Sequence, residues 1–211
     1  MYKTTKRTTS TAIPLPRRSS IMVLLHGSLL LGLMLIASHV SALEFKQVQP
    51  SESAITFGYK QMNVPLDGKF SKFVAQISFD PAKVAKAQAR IEIDVTSIDT
   101  GSAEANEEVV GKQWFNARTF PTASFVSTGI KSLGGNRYQA SGKLSIKGRT
   151  LDVATPVTFQ ATGTRGILEG TFTIKRLDYM IGEGEWTDVS AVADEIQIKF
   201  HIVVNASPGK K

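Results

Sequence analysis

Apolar and polar side chains alternate one by one along most of the chain beyond about residue 50, and this alternation limits the possible folds more than any other feature. The clearest example runs from Glu195 to Val204, where isoleucine and phenylalanine alternate with charged, amide and histidine side chains. Successive side chains of a β-strand point to opposite faces of a sheet, so a period of two predicts strands with one buried face. An all-β, antiparallel fold is therefore expected.

Eight segments have the pattern or composition of strands. They are Ser53–Gln61, Phe73–Phe79, Ile91–Val95, Thr122–Lys131, Arg137–Ile146, Leu151–Gly163, Arg165–Lys175 and Glu195–Val204. Eight sequential antiparallel strands predict a closed, lipocalin-like up-and-down barrel, because closure removes exposed edges. A sandwich of two sheets is the structural alternative. A barrel of eight strands is either filled by its own side chains or holds one small ligand, and the alternation leaves both interiors open.

One segment departs from the alternation. Residues from Ser102 to Phe115 predict a single short helix between the third and fourth strands, with Ser102 as its N-terminal cap. Glu104 lies in the first turn, where a carboxylate suits the helix dipole. Gly111 weakens the second half of this helix.

The first 42 residues have the organisation of a secretory signal peptide. Five basic and no acidic residues precede an apolar run from Ile21 to Ala37, and Val40-Ser41-Ala42 places small residues at a cleavage site. A retained membrane anchor is the alternative, although the run is short for a span that needs about 20 residues. The sequence therefore predicts export, cleavage after about Ala42 and one domain over residues 43–209.

Loss of this signal changes what the charge of the chain implies. The whole chain holds 25 Lys and Arg against 18 Asp and Glu, and the predicted signal takes five of the basic residues, which leaves a formal charge of about +2. No basic stripe is visible in the remainder, so nucleic acid is not expected as a partner. The chain contains no cysteine, which excludes disulfides and thiolate metal sites.

Residues suited to catalysis or metal binding are sparse. His201 is the one histidine beyond the predicted signal, and it lies on the polar side of the last predicted strand. Glu183, Glu185 and Asp188 offer oxygen ligands but lack the spacing of a calcium loop. The sequence therefore predicts no catalytic residue, no metal site and no covalent cofactor. A carboxylate-dependent enzyme that acts on a lipid is a minor alternative.

Three motifs follow one another between residues 97 and 125. They are Ser-Ile-Asp-Thr-Gly at 97–101, Trp-Phe at 114–115 and Phe-Pro-Thr-Ala-Ser-Phe at 120–125. In this order they resemble the YceI-like family of bacterial periplasmic proteins. Other segments similar to that family are Ser53–Phe57, Asp67–Phe70, Ile77–Pro81, Gly142–Gly148, Lys175–Gly182 and Asp194–Ile196. The resemblance runs through nearly all of the predicted domain.

The resemblance implies a lipocalin-like barrel that carries a polyisoprenoid lipid in the periplasm, with roles in lipid transport and stress response. The implied ligand is a polyprenyl quinone or a polyprenyl phosphate. Two departures from the common family pattern are Tyr59-Lys60-Gln61, where many members have a histidine, and Glu104–Val109, where many have R-D-x-H-L. The second, with Glu-Gly-Glu-Trp at 183–186, resembles a branch associated with cytochrome b561-type membrane domains. That branch implies a quinone-related ligand and a cytochrome b561-type partner.

If the barrel interior is the binding site, mostly aromatic strand residues form its wall. The expected wall residues are Phe57, Phe73, Ile77, Phe79, Ile93, Phe125, Leu144, Phe159, Phe172 and Phe200. Trp114 and Trp186 are candidates for the mouth, since an indole joins an apolar body to a polar tip. Arg118 and Arg176 are candidates to meet a phosphate or quinone oxygen, and an internal pair between Arg176 and Asp178 is the alternative. A charge placed at Phe73 or Phe159 is expected to lower lipid occupancy before it unfolds the barrel.

The main functional alternative is an interaction module, a barrel filled by its own side chains that contacts a membrane redox protein through its loops. A large empty interior would count against it. A closed barrel also leaves no edge for strand pairing between copies, so a monomer, or a dimer formed through the helix or loops, is expected.

Overall fold

The computed structural model describes residues 43–208, which form eleven strands and one α-helix. The predicted signal peptide lies outside these residues. The strands are β1 (Leu43–Val48), β2 (Ala54–Gln61), β3 (Val64–Phe70), β4 (Phe73–Ser78), β5 (Gln88–Asp94), β6 (Ile98–Asp99), β7 (Thr122–Gly134), β8 (Arg137–Ile146), β9 (Arg149–Thr162), β10 (Arg165–Lys175) and β11 (Glu195–Pro208). The helix α1 spans Ala103–Val109, and short 3₁₀ helices occupy Pro50–Glu52, Val84–Lys86, Val95–Ser97, Arg176–Tyr179 and Gly184–Thr187.

The strands form one antiparallel sheet that curls into a half-barrel. Its order is β4-β5-β7-β8-β9-β10-β11-β2-β3-β6, and β1 pairs with β11 beside this path. A single bridge between Phe45 of β1 and Phe79, just after β4, brings the two sides together at one end. The all-β antiparallel prediction is confirmed. The prediction of eight strands in a closed barrel is wrong, since the sheet has eleven strands and its path ends at β4 and β6.

Three strands that the sequence did not predict account for the difference in strand number. β3 contains Pro65, Asp67 and Gly68, which are residues depleted in strands, so its composition hid it. β6 has only two residues, and β1 lies at the start of the described chain, where no long alternation precedes it. Local patterns identify strands that alternate regularly, whereas these three are held by pairing with β2, β3 and β11.

The helix begins as predicted and ends early. Ser102 Oγ accepts a hydrogen bond from the amide of Ala105 at 3.4 Å, which confirms the cap. The helix stops at Val109, and turns carry the chain through Gly111 to Phe115, so the predicted extension to Phe115 is wrong. Glycine inside a helix costs about 1 kcal/mol relative to alanine, which favours an end of the helix before Gly111.

Glycine and phenylalanine pairs allow the sheet to bend inward. Gly170 of β10 lies directly opposite Phe200 of β11, and the Phe200 ring occupies the place where a Cβ of Gly170 would be. Gly68 and Phe57 have the same relation across β2 and β3. The ring of one strand therefore covers the bare backbone of its neighbour, a recognised way of bending a sheet.

One end of the half-barrel is closed by aromatic side chains, and we call it the sealed end. Phe159 packs against Phe45 and Phe79 with ring centroids 4.9 and 4.7 Å apart, and Phe79 meets Tyr138 edge-on at 5.1 Å. All four side chains are buried. Edge-to-face packing of this kind adds to the free energy gained from burying the rings.

Candidate ligand-binding cavity

A cavity of about 750 Å³ lies in the interior between the sealed end and the opposite end of the half-barrel. Inward-facing residues of β2, β5, β7, β8, β10 and β11 form most of its wall. The wall is dominated by isoleucine, leucine, valine and phenylalanine, and its volume lies within the usual range of ligand sites. The barrel is therefore not filled by its own side chains.

Eleven of the thirteen predicted site residues lie on the cavity wall. They are Phe57, Ile77, Phe79, Ile93, Trp114, Phe125, Leu144, Phe172, Arg176, Trp186 and Phe200. Phe159 is not among the wall residues, because it packs behind Phe79 against Phe45 at the sealed end. Phe73 is half-buried and packs against the same apolar cluster without reaching the cavity. The predicted role of the eleven in holding a ligand stays a prediction.

Solvent-exposed wall residues mark the mouth of the cavity. Seven wall residues are exposed, and six of them lie in two segments, while the seventh, Gln88, begins β5. The two segments are the β2–β3 hairpin, with Gln61 and Leu66, and the region from Gly101 through α1, with Gly101, Ser102, Glu104 and Glu108. Sequence reasoning missed the hairpin because it overlooked β3.

Arg176 holds the loop beside the mouth. Its side chain is 1% exposed, and its three nitrogens donate to five backbone carbonyls. The acceptors are the oxygens of Ala193, Ile181, Gly182, Trp186 and Val192, at 3.2, 2.9, 3.3, 2.6 and 2.7 Å. A guanidinium has five N–H donors, so all of them are used. Burial lowers the pKa of Arg176, and the charge of Asp194 opposes this shift.

This arrangement corrects two expectations about arginine. Arg176 makes no hydrogen bond or ion pair with Asp178 among the described contacts, so the alternative of an internal pair is wrong. It also has no donor left for a ligand oxygen, although it touches the cavity wall. Arg118 is exposed and is not part of the wall.

The two tryptophans pack against each other, and Trp114 also packs against Arg176. Trp114 is 7% exposed, its ring lies 5.2 Å from that of Trp186, and the Arg176 guanidinium lies 5.4 Å from its centroid. Trp114 is thus buried and Trp186 half-buried, and the prediction that the two indoles lie at the mouth stays a prediction. The Nε1 atoms of both are buried without a partner among residues 43–208. A buried donor without a partner costs about 1–3 kcal/mol.

Lys147 ties the same loop to the β8–β9 turn. Its Nζ donates to the carbonyl oxygen of Met180 at 2.6 Å and of Gln113 at 3.3 Å, and it pairs with Glu183 at 2.8 Å. The side chain is only 5% exposed. The sequence gives no sign that this lysine is buried, since its partners lie more than thirty positions away.

The start of α1 is fixed to the barrel by Thr100 and Asn106. Asn106 Oδ1 accepts hydrogen bonds from Thr100 N at 2.7 Å and from Thr100 Oγ1 at 2.8 Å. Tyr59 donates its hydroxyl to the Thr100 carbonyl at 3.4 Å, and burial raises the pKa of Tyr59. One rim of the mouth is therefore anchored to β2 through these three side chains.

Titratable side chains that cluster together could hold a metal ion. Residues 43–208 contain no cluster of three or more His, Asp or Glu side chains placed to hold a metal ion. His201 pairs with Glu169 at 2.8 Å on the polar side of the sheet, away from the cavity wall. In the same range, no helix combines the length and the hydropathy required to cross a bilayer.

Comparison with known proteins gives consistent matches. A family model described as the YceI-like domain matches residues 47–204. A UPF0312 protein of Yersinia pestis is 29% identical over 179 residues, which cover 79% of this chain and 88% of that protein. A UPF0312 protein of Shewanella denitrificans is 30% identical over 137 residues, 64% of this chain and 70% of its own.

Solved structures share the fold. The structure of BcnA from Burkholderia cenocepacia has a TM-score of 0.73 and 48% identity, and the match covers 74% of this chain and 99% of BcnA. A polyisoprenoid binding domain from Saccharophagus degradans, implicated in plant cell wall breakdown, has a TM-score of 0.61 at 18% identity, over 78% of this chain and 99% of that domain. At that identity the second likeness concerns the fold alone.

Proposed function

The chain belongs to the YceI-like domain family, and from that starting point we propose that it is a periplasmic carrier of an isoprenoid lipid with an uncharged head group, such as a polyprenyl quinone. The observation that carries this proposal is the apolar cavity of about 750 Å³. The domain from Saccharophagus degradans, which is described as polyisoprenoid binding, supports the same class of ligand. A filled-barrel interaction module fits the cavity poorly.

Burial of the isoprenoid tail supplies the affinity. Each buried methylene contributes about 0.8 kcal/mol, so a five-carbon isoprene unit contributes several kcal/mol. A few units therefore approach the limit of about −18 to −21 kcal/mol for non-covalent binding. The lipid leaves water for the wall of isoleucine and phenylalanine side chains, and the cavity shape sets the length of chain that fits.

The charges of the wall favour an uncharged head group over a phosphate. Glu104, Glu108 and Arg176 are the charged members of the wall. All N–H groups of Arg176 already bind carbonyls, so no cation is free to pair with a phosphate there. The two carboxylates at the mouth repel an anion, since like charges close together raise the free energy. A quinone avoids both costs.

The donor and acceptor of the lipid are proposed on chemistry alone. A quinone resides in the inner membrane, so a membrane redox protein of the cytochrome b561 type remains the proposed partner. No covalent cofactor is proposed, and the lipid itself is the bound group. The protein is proposed to act as a monomer or a dimer.

Native mass spectrometry of the protein purified from its own periplasm without detergent tests this function. An added mass that matches a polyprenyl quinone is expected. An apo mass that does not change after mixing with polyprenyl quinone would contradict the carrier role. A mass that matches a polyprenyl phosphate would keep the carrier role and overturn the argument from the wall charges.

A cavity-filling variant tests whether the lipid occupies this interior. Ala140 is buried and lies on the cavity wall, so Ala140→Phe places a ring in the empty space. Val74→Phe puts the same ring on an exposed position of β4 outside the wall and is the matched control. Ala140→Phe is expected to remove the bound lipid or to select a shorter chain, while Val74→Phe keeps it. Equal occupancy in both variants would place the lipid elsewhere.

A further inference from the structure

Apolar side chains project from the turns beside the mouth. Met62 is 76% exposed, Val64 55%, Val189 52% and Leu66 36%. Met62, Val64 and Leu66 belong to the β2–β3 hairpin, and Val189 lies in the turn from Asp188 to Ala191. We call these four residues the apolar tip. Single exposed apolar residues are ordinary, but a group of them at one site marks an interaction surface.

The hairpin and the Val189 turn are held side by side. The Met62 amide donates to the Ala191 carbonyl at 2.9 Å, and the Ala193 amide donates to the Lys60 carbonyl at 2.9 Å. Met62 has a φ of +48° and Asn63 a φ of +64°, a backbone conformation that favours glycine or asparagine. The turn therefore does not require a methionine at position 62 in order to fold. The exposed Met62 side chain needs another explanation.

The apolar tip is continuous with the cavity wall. Leu66 is at once an exposed residue of the tip and a residue of the wall, and Gln61 next to Met62 also lies on the wall. An apolar path therefore leads from the tip into the interior. We propose that the apolar tip inserts into the surface of a zwitterionic lipid bilayer, so that the mouth faces the membrane when lipid enters or leaves.

Size and charge favour a lipid surface over a protein partner. A stable protein interface uses roughly 20–30 residues on each side, far more than four side chains offer. Glu104 and Glu108 at the mouth and the exposed Asp188 beside the tip outnumber the exposed Lys60 of the hairpin, so these groups together bring negative charge to the contact. An anionic bilayer would repel these carboxylates, whereas a zwitterionic one would not. The proposal rests on the proposed lipid cargo for its purpose, but bilayer contact is measurable without cargo.

Vesicle flotation tests the proposal with the protein purified from the periplasm. The probes are vesicles of phosphatidylcholine alone and of phosphatidylcholine mixed with phosphatidylglycerol. Met62→Asp places a charge on the tip at a position where aspartate tolerates positive φ. Val74→Asp is the control, because Val74 is 59% exposed on β4, outside the cavity wall. The wild type and Val74→Asp are expected to float with phosphatidylcholine, and Met62→Asp to bind about tenfold less, since a buried methionine contributes that much or more.

Three outcomes would overturn the proposal. They are equal flotation of Met62→Asp and wild type, equal losses in Met62→Asp and Val74→Asp, and stronger binding to vesicles that contain phosphatidylglycerol. Sedimentation of the same samples tests whether a second copy of the chain binds the apolar tip instead. If the wild type is a dimer and Met62→Asp dissociates it, the tip is a contact between copies.

The native mass of each variant separates this proposal from the carrier function. Met62→Asp is expected to retain its bound lipid mass while it loses vesicle binding. If flotation depends on the tip but no bound lipid mass is found in any variant, the membrane-docking proposal is supported and the carrier function is contradicted.

Discussion

The two ends of the half-barrel are closed by different kinds of interaction. At the sealed end, Phe45, Phe79 and Phe159 interlock, and Gln88, which pairs with Ser78 next to Phe79, is the exposed wall residue near them. At the mouth, Arg176 and Lys147 hold a loop through backbone carbonyls, and exposed wall residues remain around it. Packed aromatic rings fill the space between the strands. A cation that is hydrogen-bonded to carbonyls fixes the position of a loop but leaves the space beneath the loop open. The sealed end thus provides stability, and the mouth provides a fixed entrance.

The largest expected effect comes from removing the cation at the mouth. Arg176→Met keeps much of the side-chain volume but leaves five carbonyls without their donor, and we expect a loss of about 3–5 kcal/mol in the free energy of unfolding. Urea unfolding measures it, with Arg118→Met at an exposed arginine as the control. Similar midpoints for the two variants would mean that aromatic packing alone stabilises both ends.

The sealed end is tested with a pair of phenylalanines. Phe159→Ala removes the ring that packs on Phe45 and Phe79, and a loss of about 3–5 kcal/mol in the free energy of unfolding is expected. Phe172→Ala truncates a ring that already borders the cavity, so roughly half that loss is expected together with altered lipid occupancy. Urea unfolding and native mass spectrometry check both. This replaces the expectation that a charge at Phe159 lowers occupancy before it unfolds the barrel.

The hydrogen bonds of Asn106, which anchor α1 at the mouth, are expected to contribute less to stability than Arg176 or Phe159. Asn106→Ala removes the acceptor of the Thr100 amide and hydroxyl, and we expect a loss of about 1–2 kcal/mol. Asn106→Asp retains an oxygen at the same place and is expected to lose less. If the two variants unfold at the same urea concentration, these hydrogen bonds do not anchor the rim of the mouth.

Alkaline pH should weaken the mouth end through Tyr179. Burial raises the pKa of Tyr179 to about 12, from an ordinary value near 10. The unfolded chain therefore loses this proton first, so the contribution of Tyr179 to stability is full below about pH 10 and declines as the pH rises toward 12. Tyr179→Phe is expected to have a smaller decline over this range in thermal unfolding. Absorbance titration that finds an ordinary pKa would contradict this effect.

The sequence predicted the long strands and most of the cavity wall because both depend on local alternation. Glu195–Val204 alternates so regularly that its inward face follows from the period alone. The sequence missed β3 and therefore the hairpin side of the mouth, because Pro65 and Gly68 mask a strand that only pairing with β2 stabilises. It also misplaced Phe159, since alternation predicts which face of a strand is buried and not which neighbours it meets.

The polar network at the mouth lay beyond prediction for a different reason. The five carbonyls that bind Arg176 belong to residues whose backbone conformation is set by the whole loop, and carbonyl groups carry no signature in the sequence. The neighbouring Asp178 was therefore a natural but mistaken partner. The same holds for Lys147, whose carbonyl partners lie in two segments distant in sequence.

The glycine and phenylalanine pairs of the wall have a consequence for how related cavities diverge. At Gly170 a methyl group would meet both the Phe200 ring and the Pro156 carbonyl, so even alanine would displace the strand itself. The backbone spacing of the strands thus sets the width of the interior, while the side chains of the wall make smaller, local changes to the space within it. Substitution of a wall side chain is therefore expected to change the cavity locally, whereas substitution of such a glycine is expected to change the spacing of the strands and with it the width of the cavity.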